Sequence, residues 1–546
     1  MAPRNVRGKP ARLVVAARKN TPSRSALRVV ALTLAGALVA SSAAAKRPTQ
    51  DEPAPAPAPA PTTAPAAGSA SAESSAAVEG TSPQDAVSPP PPARLRDASR
   101  PSSTDHEGRF EFGSYGRVWA ATDLRGGVGR GTNVVAFGPR LVDEGSYAEL
   151  ELRREDSFGP RVKTRIVTTL ALFPPFFHFT GKATQNIGVR NLYVQGTYDK
   201  LLMWAGSRMY RGDDIYLLNW WPLDNQNTIG GGVGGPVFRT DDGRHQTVAA
   251  VHAGQQRLDN PFQFQQIPVV APYGFGTVDV TRLDRPRTIE TFKLTHFVRK
   301  NGDQAPGPGF KAILYGELHQ ISAGTFRDPL IDRDRGLPSD SGFLVGSQLT
   351  YWTGERDQYA SLVMRHARGI AAYDPLAVPL TFALDRSTDG ASETQIAASG
   401  NYETEHFGVL AAGYVRFFRD ASPLATSPQQ QKYDEGVLVA RPSVFLGDHF
   451  GVSVEGSYQA RRFALLDPSG AGQLTAGVFK VGVMPYFSPS GRGSFKRPQI
   501  RLLYNASFRD SGARSLYAEQ DVFSSRKVEH FLGIGAEWWF NSTAYP

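Results

Sequence analysis

The sequence of 546 residues contains no cysteine. That absence excludes disulfide bonds, thiol nucleophiles and cysteine metal sites, and it is compatible with an oxidising, exported location. Long apolar runs are lacking too. The run Val29 to Ala40 is only about twelve residues long, and no other charge-free segment reaches the roughly 18 residues that a membrane-spanning helix needs. The sequence therefore does not predict a helical membrane protein.

Catalytic motifs are absent as well. The chain has no HExxH, no GxSxG and no Walker loop. Two glycine-rich stretches, residues 126–132 (GGVGRGT) and 230–235 (GGGVGG), lack the lysine spacing of a phosphate-binding loop, so we expect them to be loops or turns. The sequence predicts no enzyme, no cofactor and no metal.

Positive charge is nearly absent once the first residues are set aside. The formal net charge is +9, but residues 1–45 carry eight of the lysines and arginines and no acid. The remainder is close to neutral, so a nucleic-acid partner is not expected.

Composition divides the chain into four parts. Residues 1–45 have a basic region, an apolar run and small residues, which predicts a secretory signal peptide; an N-terminal membrane anchor is the alternative. Residues 46–108 are rich in Pro, Ala, Ser and Thr and predict a disordered periplasmic spacer. Residues 109–540 are expected to form a β-barrel, followed by a tail over residues 541–546.

The segment Val528 to Phe540 (VEHFLGIGAEWWF) alternates with a period of two, which predicts a strand with two different faces. One face is apolar with aromatics near its end, and the other mixes glycine, carboxylates and Trp539. Such a strand is typical of an outer-membrane barrel, with lipid on one side and a watery lumen on the other.

Similar alternation recurs in segments of roughly 8–12 residues from Arg109 onward. A soluble β-sandwich would give the same alternation. The number of segments and the export signal favour a transmembrane antiparallel barrel, and the length of about 430 residues suits roughly 16–18 strands.

Aromatic and charged residues share the predicted lumen face. The pairs are Tyr115 with Arg117, Tyr147 with Glu149, Phe495 with Arg497, and Trp539 with Glu537. Sugars stack their apolar C–H faces on aromatic rings while their hydroxyls bond to charged groups. The same rings could equally form a girdle at the barrel rim or pack beneath a loop.

Several blocks resemble the maltoporin family of carbohydrate porins. They are FGSYGR (112–117), SYAELEL (146–152), a long block over 189–224 that contains WAGSRMY, FKRPQIRLLYNASF (495–508) and GAEWWF (535–540). The resemblance implies about eighteen strands, an inward-folded constriction loop, a homotrimer and facilitated diffusion of sugars along a path of aromatic residues. Residues from about 230 to 480 match poorly.

The resemblance also implies individual site residues. Aromatic-path positions match Tyr115, Tyr147, Phe495 and Trp539, with Trp221 at the constriction, and polar positions match Arg117, Arg140, Glu149, Arg190 and Asp214. The chain departs from the family pattern at Asn219, where an acid is expected, and at Gly212, where an arginine is expected.

We therefore expect an outer-membrane sugar porin for maltodextrin-like oligosaccharides, in contact with the lipid bilayer and assembled as a homotrimer. A general diffusion porin on the same barrel is the first alternative, and a non-conducting structural or adhesin barrel is the second.

Overall fold

The computed structural model describes residues 106–143, 145–173, 186–274, 276–302, 307–328, 330–373, 379, 383, 385–422, 432–467, 470 and 472–543. The expected signal peptide and all but the last three residues of the expected spacer lie outside the described residues.

The described chain contains twenty-two strands. They are β1 (His106–Thr122), β2 (Tyr147–Phe158), β3 (Val162–Phe173), β4 (Asn186–Tyr198), β5 (Leu201–Arg211), β6 (Asn225–Arg239), β7 (His245–Gln256), β8 (Phe264–Val270), β9 (Thr277–Asp284), β10 (Arg287–Arg299), β11 (Gly309–Ile321), β12 (Gly324–Asp328), β13 (Arg333–Leu337), β14 (Asp340–Trp352), β15 (Tyr359–Gly369), β16 (Ser392–Glu403), β17 (Phe407–Arg419), β18 (Tyr433–Leu446), β19 (Phe450–Leu466), β20 (Gln473–Phe487), β21 (Gln499–Arg509) and β22 (Val528–Phe540).

Helical structure is sparse. The α-helices are α1 (Ser511–Ser515) and α2 (Val522–Ser525), and the 3-10 turns are Tyr216–Leu218, Pro272–Gly274 and Ile370–Ala372. Among the residues that the structure describes, no helix is long and apolar enough to cross a bilayer.

Eighteen strands form one closed antiparallel sheet. Each pairs with the next in the order β1 to β7, β10, β11 and β14 to β22, and β22 pairs back onto β1. The other four strands form the hairpins β8–β9 and β12–β13, which belong to two of the longer connections. The prediction of a transmembrane antiparallel barrel of about eighteen strands is confirmed.

The predicted alternation decides which side chains face inward. On β22, whose bounds match the prediction, Glu537 is 1% exposed while Ile534 is 59% exposed. On β1, Tyr115 is 2% exposed while Phe110 is 80% exposed. The exposed apolar side chains form the outer wall that lipid covers in such barrels.

Connection lengths distinguish the two ends of the barrel. At the end where β1 begins and β22 finishes, the connections are short, as at residues 159–161 and 199–200. At the other end they are long, as at residues 257–286. Since outer-membrane barrels have short periplasmic turns and long extracellular loops, the first end is the periplasmic one.

The glycine stretch 230–235 was expected to be a loop or turn, and that prediction is wrong. It lies inside β6, paired with both β5 and β7. At Gly232 a Cβ atom would come within 2.5 Å of Nε1 of Trp204, so the missing side chain makes room for that indole. Stretch 126–132 lies in a connection, as expected.

The residues that follow β22 fold against the lumen face of β1 and β2. Arg153 Nη2 donates to Asn541 Oδ1 at 2.8 Å, and Asn541 Nδ2 donates to Glu111 at 2.8 Å. The N–H of Thr543 donates to the buried carboxylate of Glu151 at 3.1 Å. The described part of the tail, residues 541–543, is thus fastened at the periplasmic mouth.

Candidate pore constriction

A long connection after β1, residues 123–143, turns into the lumen; we call it the first inward segment. It docks on the distant strands β17 and β19. The backbone N–H of Val134 donates to Gln459 Oε1 at 2.9 Å, and the N–H of Phe137 donates to the hydroxyl of Tyr414 at 3.1 Å. Wall side chains therefore satisfy backbone groups that would otherwise be buried without partners.

A second inward segment, residues 212–224, joins β5 to β6. The ammonium of Lys311 on β11 bonds to Asp213, and that of Lys293 on β10 bonds to Asp224, so both ends of the segment are held by salt bridges. This segment is the inward-folded constriction loop that the resemblance implied.

The middle of the second segment reaches two opposite walls. Arg365 Nη1 on β15 donates to the carbonyl of Pro222 at 2.7 Å. The hydroxyl of Tyr216 donates to Glu537 Oε2 on β22 at 3.0 Å. The segment consequently crosses the lumen and narrows it.

The two inward segments pack directly on each other. The rings of Phe137 and Trp220 are stacked at 4.5 Å with an angle of 15°, and the N–H of Arg140 donates to the carbonyl of Leu217 at 3.0 Å. Trp220 is 2% exposed. The sequence predicted only one inward loop, whereas the structure has two that pack on each other.

Glu537 anchors both segments to the barrel wall. Its carboxylate accepts from Arg140 at 3.0 Å and from Arg497 at 2.8 Å, and it also bonds to Arg501. With the bond from Tyr216, four donors converge on this one buried side chain. Arg140 therefore connects the first segment, and Tyr216 the second, to β22.

Four of the predicted aromatic residues come together. Tyr115 and Tyr147 lie 6.1 Å apart between ring centroids, and Trp539 packs against the cluster that contains them. Trp539 lies 6.0 Å from Tyr216, which lies 5.5 Å from Phe495. The rings form one continuous row from the wall to the second inward segment.

The fifth predicted aromatic, Trp221, stands apart from this row. It is half-buried, and the guanidinium of Arg211 lies 4.8 Å from its ring centroid. Beside it, Asn219 adopts φ 46° and ψ 47°, a left-handed conformation that asparagine tolerates better than most residues. This backbone requirement offers a physical reason for the departure from the family pattern at Asn219.

The predicted polar residues lie beside the rings. Arg117 Nη1 donates to the Tyr115 hydroxyl at 2.5 Å. Arg190 Nη1 donates to Glu149 Oε1 at 2.6 Å, and the Tyr147 hydroxyl donates to the same oxygen at 2.5 Å. The charges flanking the row are therefore mostly engaged with each other and with the tyrosine hydroxyls.

Asp214 is different, because the only hydrogen bond of its carboxylate among the described residues comes from its own backbone N–H. It is half-buried in the second inward segment. The pKa of Asp214 is raised to about 6, mainly by burial. Arg140 opposes this rise, and the neighbouring Asp213 adds to it. This carboxyl group can change charge near neutral pH.

Two ring residues of the row were not predicted. Tyr216 belongs to a 3-10 turn, where the alternation of inward and outward residues that marks a strand is absent. It does lie within the matching block 189–224. Tyr359 lies 6.5 Å from Phe495 and begins β15, in the part of the chain that matched the family poorly. The alternation of inward and outward residues along β15 would have been the only sequence signal for Tyr359.

A sequence model of the family described as LamB porin matches residues 110–540. No curated protein matches the chain.

Several solved outer-membrane proteins are similar to the chain in structure, at low sequence identity. OccAB4 of Acinetobacter baumannii is 9% identical, with 80% of this chain and 98% of that chain covered and a TM-score of 0.37. OmpT of Vibrio cholerae is 10% identical, with 79% and 98% covered and a score of 0.34. OpdK of Pseudomonas aeruginosa, solved with vanillate, is 10% identical, with 80% and 98% covered and a score of 0.35. Scores this low support no conclusion about the solutes of this chain.

Proposed function

Since the chain belongs to the LamB porin family and is an outer-membrane porin with an 18-stranded barrel, we propose that it conducts linear, maltodextrin-like oligosaccharides by facilitated diffusion. Its activity is that of a channel rather than an enzyme.

The row of aromatic rings at the constriction carries the proposal. Trp539, Phe495 and Tyr359 are each half-buried, so part of each ring is open to the lumen. Rings in that position can stack against the apolar faces of successive sugar units. Arg117 on β1 and Asp214 in the second inward segment can exchange hydrogen bonds with sugar hydroxyls.

One observation favours a general diffusion porin instead. Tyr115 and Tyr147 are buried, and their hydroxyls are held by Arg117 and Glu149. Rings so enclosed act as packing residues, and they contact a solute only if it displaces their neighbours. In this alternative, small solutes pass without binding.

Sugar block of ion current in planar bilayers separates the two functions. Our proposal predicts that maltohexaose closes the pore in a saturable way, with longer maltodextrins blocking at lower concentrations. An open pore whose current no oligosaccharide reduces would establish the diffusion porin instead. A preparation that inserts correctly but never conducts would support the structural barrel.

Three further expectations remain proposals. We propose a homotrimer, to be tested by light scattering of the detergent-solubilised protein. We also propose that residues 1–45 are removed on export and that residues 46–108 form a periplasmic spacer ahead of the barrel. N-terminal sequencing of the protein from outer membranes tests the first of these, and protease sensitivity of the spacer tests the second.

A further inference from the structure

A second group of aromatic residues lines the lumen on β4 and β5, away from the row described above. Arg208 lies over three of their rings, with its guanidinium carbon 4.6 Å from the centroid of Tyr193, 5.1 Å from that of Trp204 and 4.7 Å from that of Tyr210. We call these three rings the aromatic box. Cation–π contacts with three rings hold the guanidinium in a defined position.

The box adjoins the constriction. The ammonium of Lys293, which anchors the second inward segment through Asp224, lies 5.2 Å from the Tyr210 ring. His252 lies 4.9 Å from the same ring. Tyr210 is half-buried, so it leaves part of its surface open to the lumen.

Arg208 differs from the other arginines of the lumen wall in its partners. Arg365 pairs with Glu393, and Arg441 pairs with Glu455. The guanidinium of Arg208 makes no hydrogen bond or ion pair with any of the residues that the structure describes, and it is half-buried. Its N–H donors therefore lack an acceptor among the described residues, and a solute can supply one.

We propose that Arg208 and the aromatic box form a binding subsite for the carboxylate of an acidic saccharide. The proposal rests on the proposed sugar path and specifies the sugar class: chains that carry a carboxylate bind in preference to neutral ones. The planar fork of Arg208 donates two parallel hydrogen bonds to a carboxylate, and the open part of Tyr210 stacks on the adjoining sugar ring.

The charges of the neighbouring groups point the same way. Lys293 is neutralised by Asp224, whereas the positive charge of Arg208 has no ion-pair partner among the residues that the structure describes. A neutral sugar would use some of the N–H donors but would leave that charge unbalanced. A carboxylate supplies both acceptor atoms and the opposite charge.

A matched pair of sugars tests the subsite. Maltopentaose and maltopentaonate have the same five units, but in the second the reducing-end unit is oxidised to an open-chain aldonate that carries a carboxylate. In about 0.1 M salt we expect the acid to block the current of the unmodified porin at a concentration about tenfold or more below that of the neutral sugar. In 1 M salt that preference should shrink, because charges are screened over about 3 Å.

Two variants locate the effect. Arg208→Gln should bring the two blocking concentrations within about twofold of each other, by raising that of maltopentaonate much more than that of maltopentaose. Arg208→Lys keeps the charge without the fork and should retain only part of the preference. Lys200→Gln removes an equal charge from an exposed periplasmic turn and should behave like the unmodified porin. Heat-modifiable migration on gels confirms that each variant is folded.

The outcomes separate the two proposals. If neither sugar blocks the unmodified porin, the sugar path itself is wrong, and the subsite is wrong with it. If both block equally, or if the preference for the acid survives in Arg208→Gln, the subsite is wrong while the sugar path stands.

Discussion

Replacing Glu537 by glutamine removes one negative charge from the point where both inward segments are fastened, and we expect the pore to widen. The carboxylate accepts from Arg140 in the first segment and Tyr216 in the second, and also from Arg497 and Arg501. A neutral amide can accept fewer of these bonds and balances none of the positive charge.

The size of the effect follows from the burial of the partners. The side chains of Arg140, Arg497 and Arg501 are 7%, 1% and 5% exposed. Breaking a buried ion pair by removing one partner typically costs about 3–5 kcal/mol. A loss of about 3 kcal/mol shifts the balance between docked and released segments more than a hundredfold towards release.

Single-channel conductance measures the widening of the pore. The temperature at which the folded band is lost on gels measures the loss of stability. Glu529→Gln is the matched control, because Glu529 is buried on the same face of β22 but pairs with Arg526 at 3.2 Å near the extracellular end. We expect higher conductance for Glu537→Gln and normal conductance for the control. Combining Arg140→Gln with Glu537→Gln should cost less than the sum of the single changes, because the residues share one network. Equal behaviour of the two glutamate variants would refute the anchoring role.

Three other changes give distinct expectations. Trp539→Ala should weaken block by maltohexaose more than it alters conductance, whereas Trp538→Ala, on the opposite face of β22, should spare the block; equal losses would contradict a lumenal sugar path. Lowering the pH from 7.5 to 5 protonates Asp214, whose pKa is raised to about 6, so preference for K⁺ over Cl⁻ in reversal-potential measurements should fall with pH, and Asp214→Asn should abolish this step. Gly232→Val should lower the unfolding temperature by overpacking Trp204, at a cost of about 1–3 kcal/mol, and an unchanged temperature would show that the indole can move aside.

The wall of the barrel could be predicted from sequence because its signal is local. Each residue of β22 faces either lipid or lumen, and this choice is visible in the alternation of neighbouring residues. The same rule places Tyr115, Tyr147 and Glu149 on the inner face, as predicted.

The contents of the lumen could not be predicted in the same way. The first inward segment is held by contacts such as that of Val134 with Gln459, 325 positions apart. The sequence of the segment itself does not predict which wall residue it contacts. Glycine composition was misleading in β6, because at Gly230 and Gly232 a side chain would collide with atoms of the neighbouring strands. Arg140 was predicted as a polar position of the sugar path, but its role as an anchor of the first inward segment depends on its contact with Glu537.

The anchor at Glu537 also imposes an order on assembly. Arg140 and Glu537 are 397 positions apart, and Glu537 lies on the strand that meets β1 to complete the wall. Until β22 is in place, the two inward segments lack the side chain on which their donors converge. The docking of both segments on β22 therefore waits until the wall is sealed, so the constriction reaches its final form only in the closed barrel.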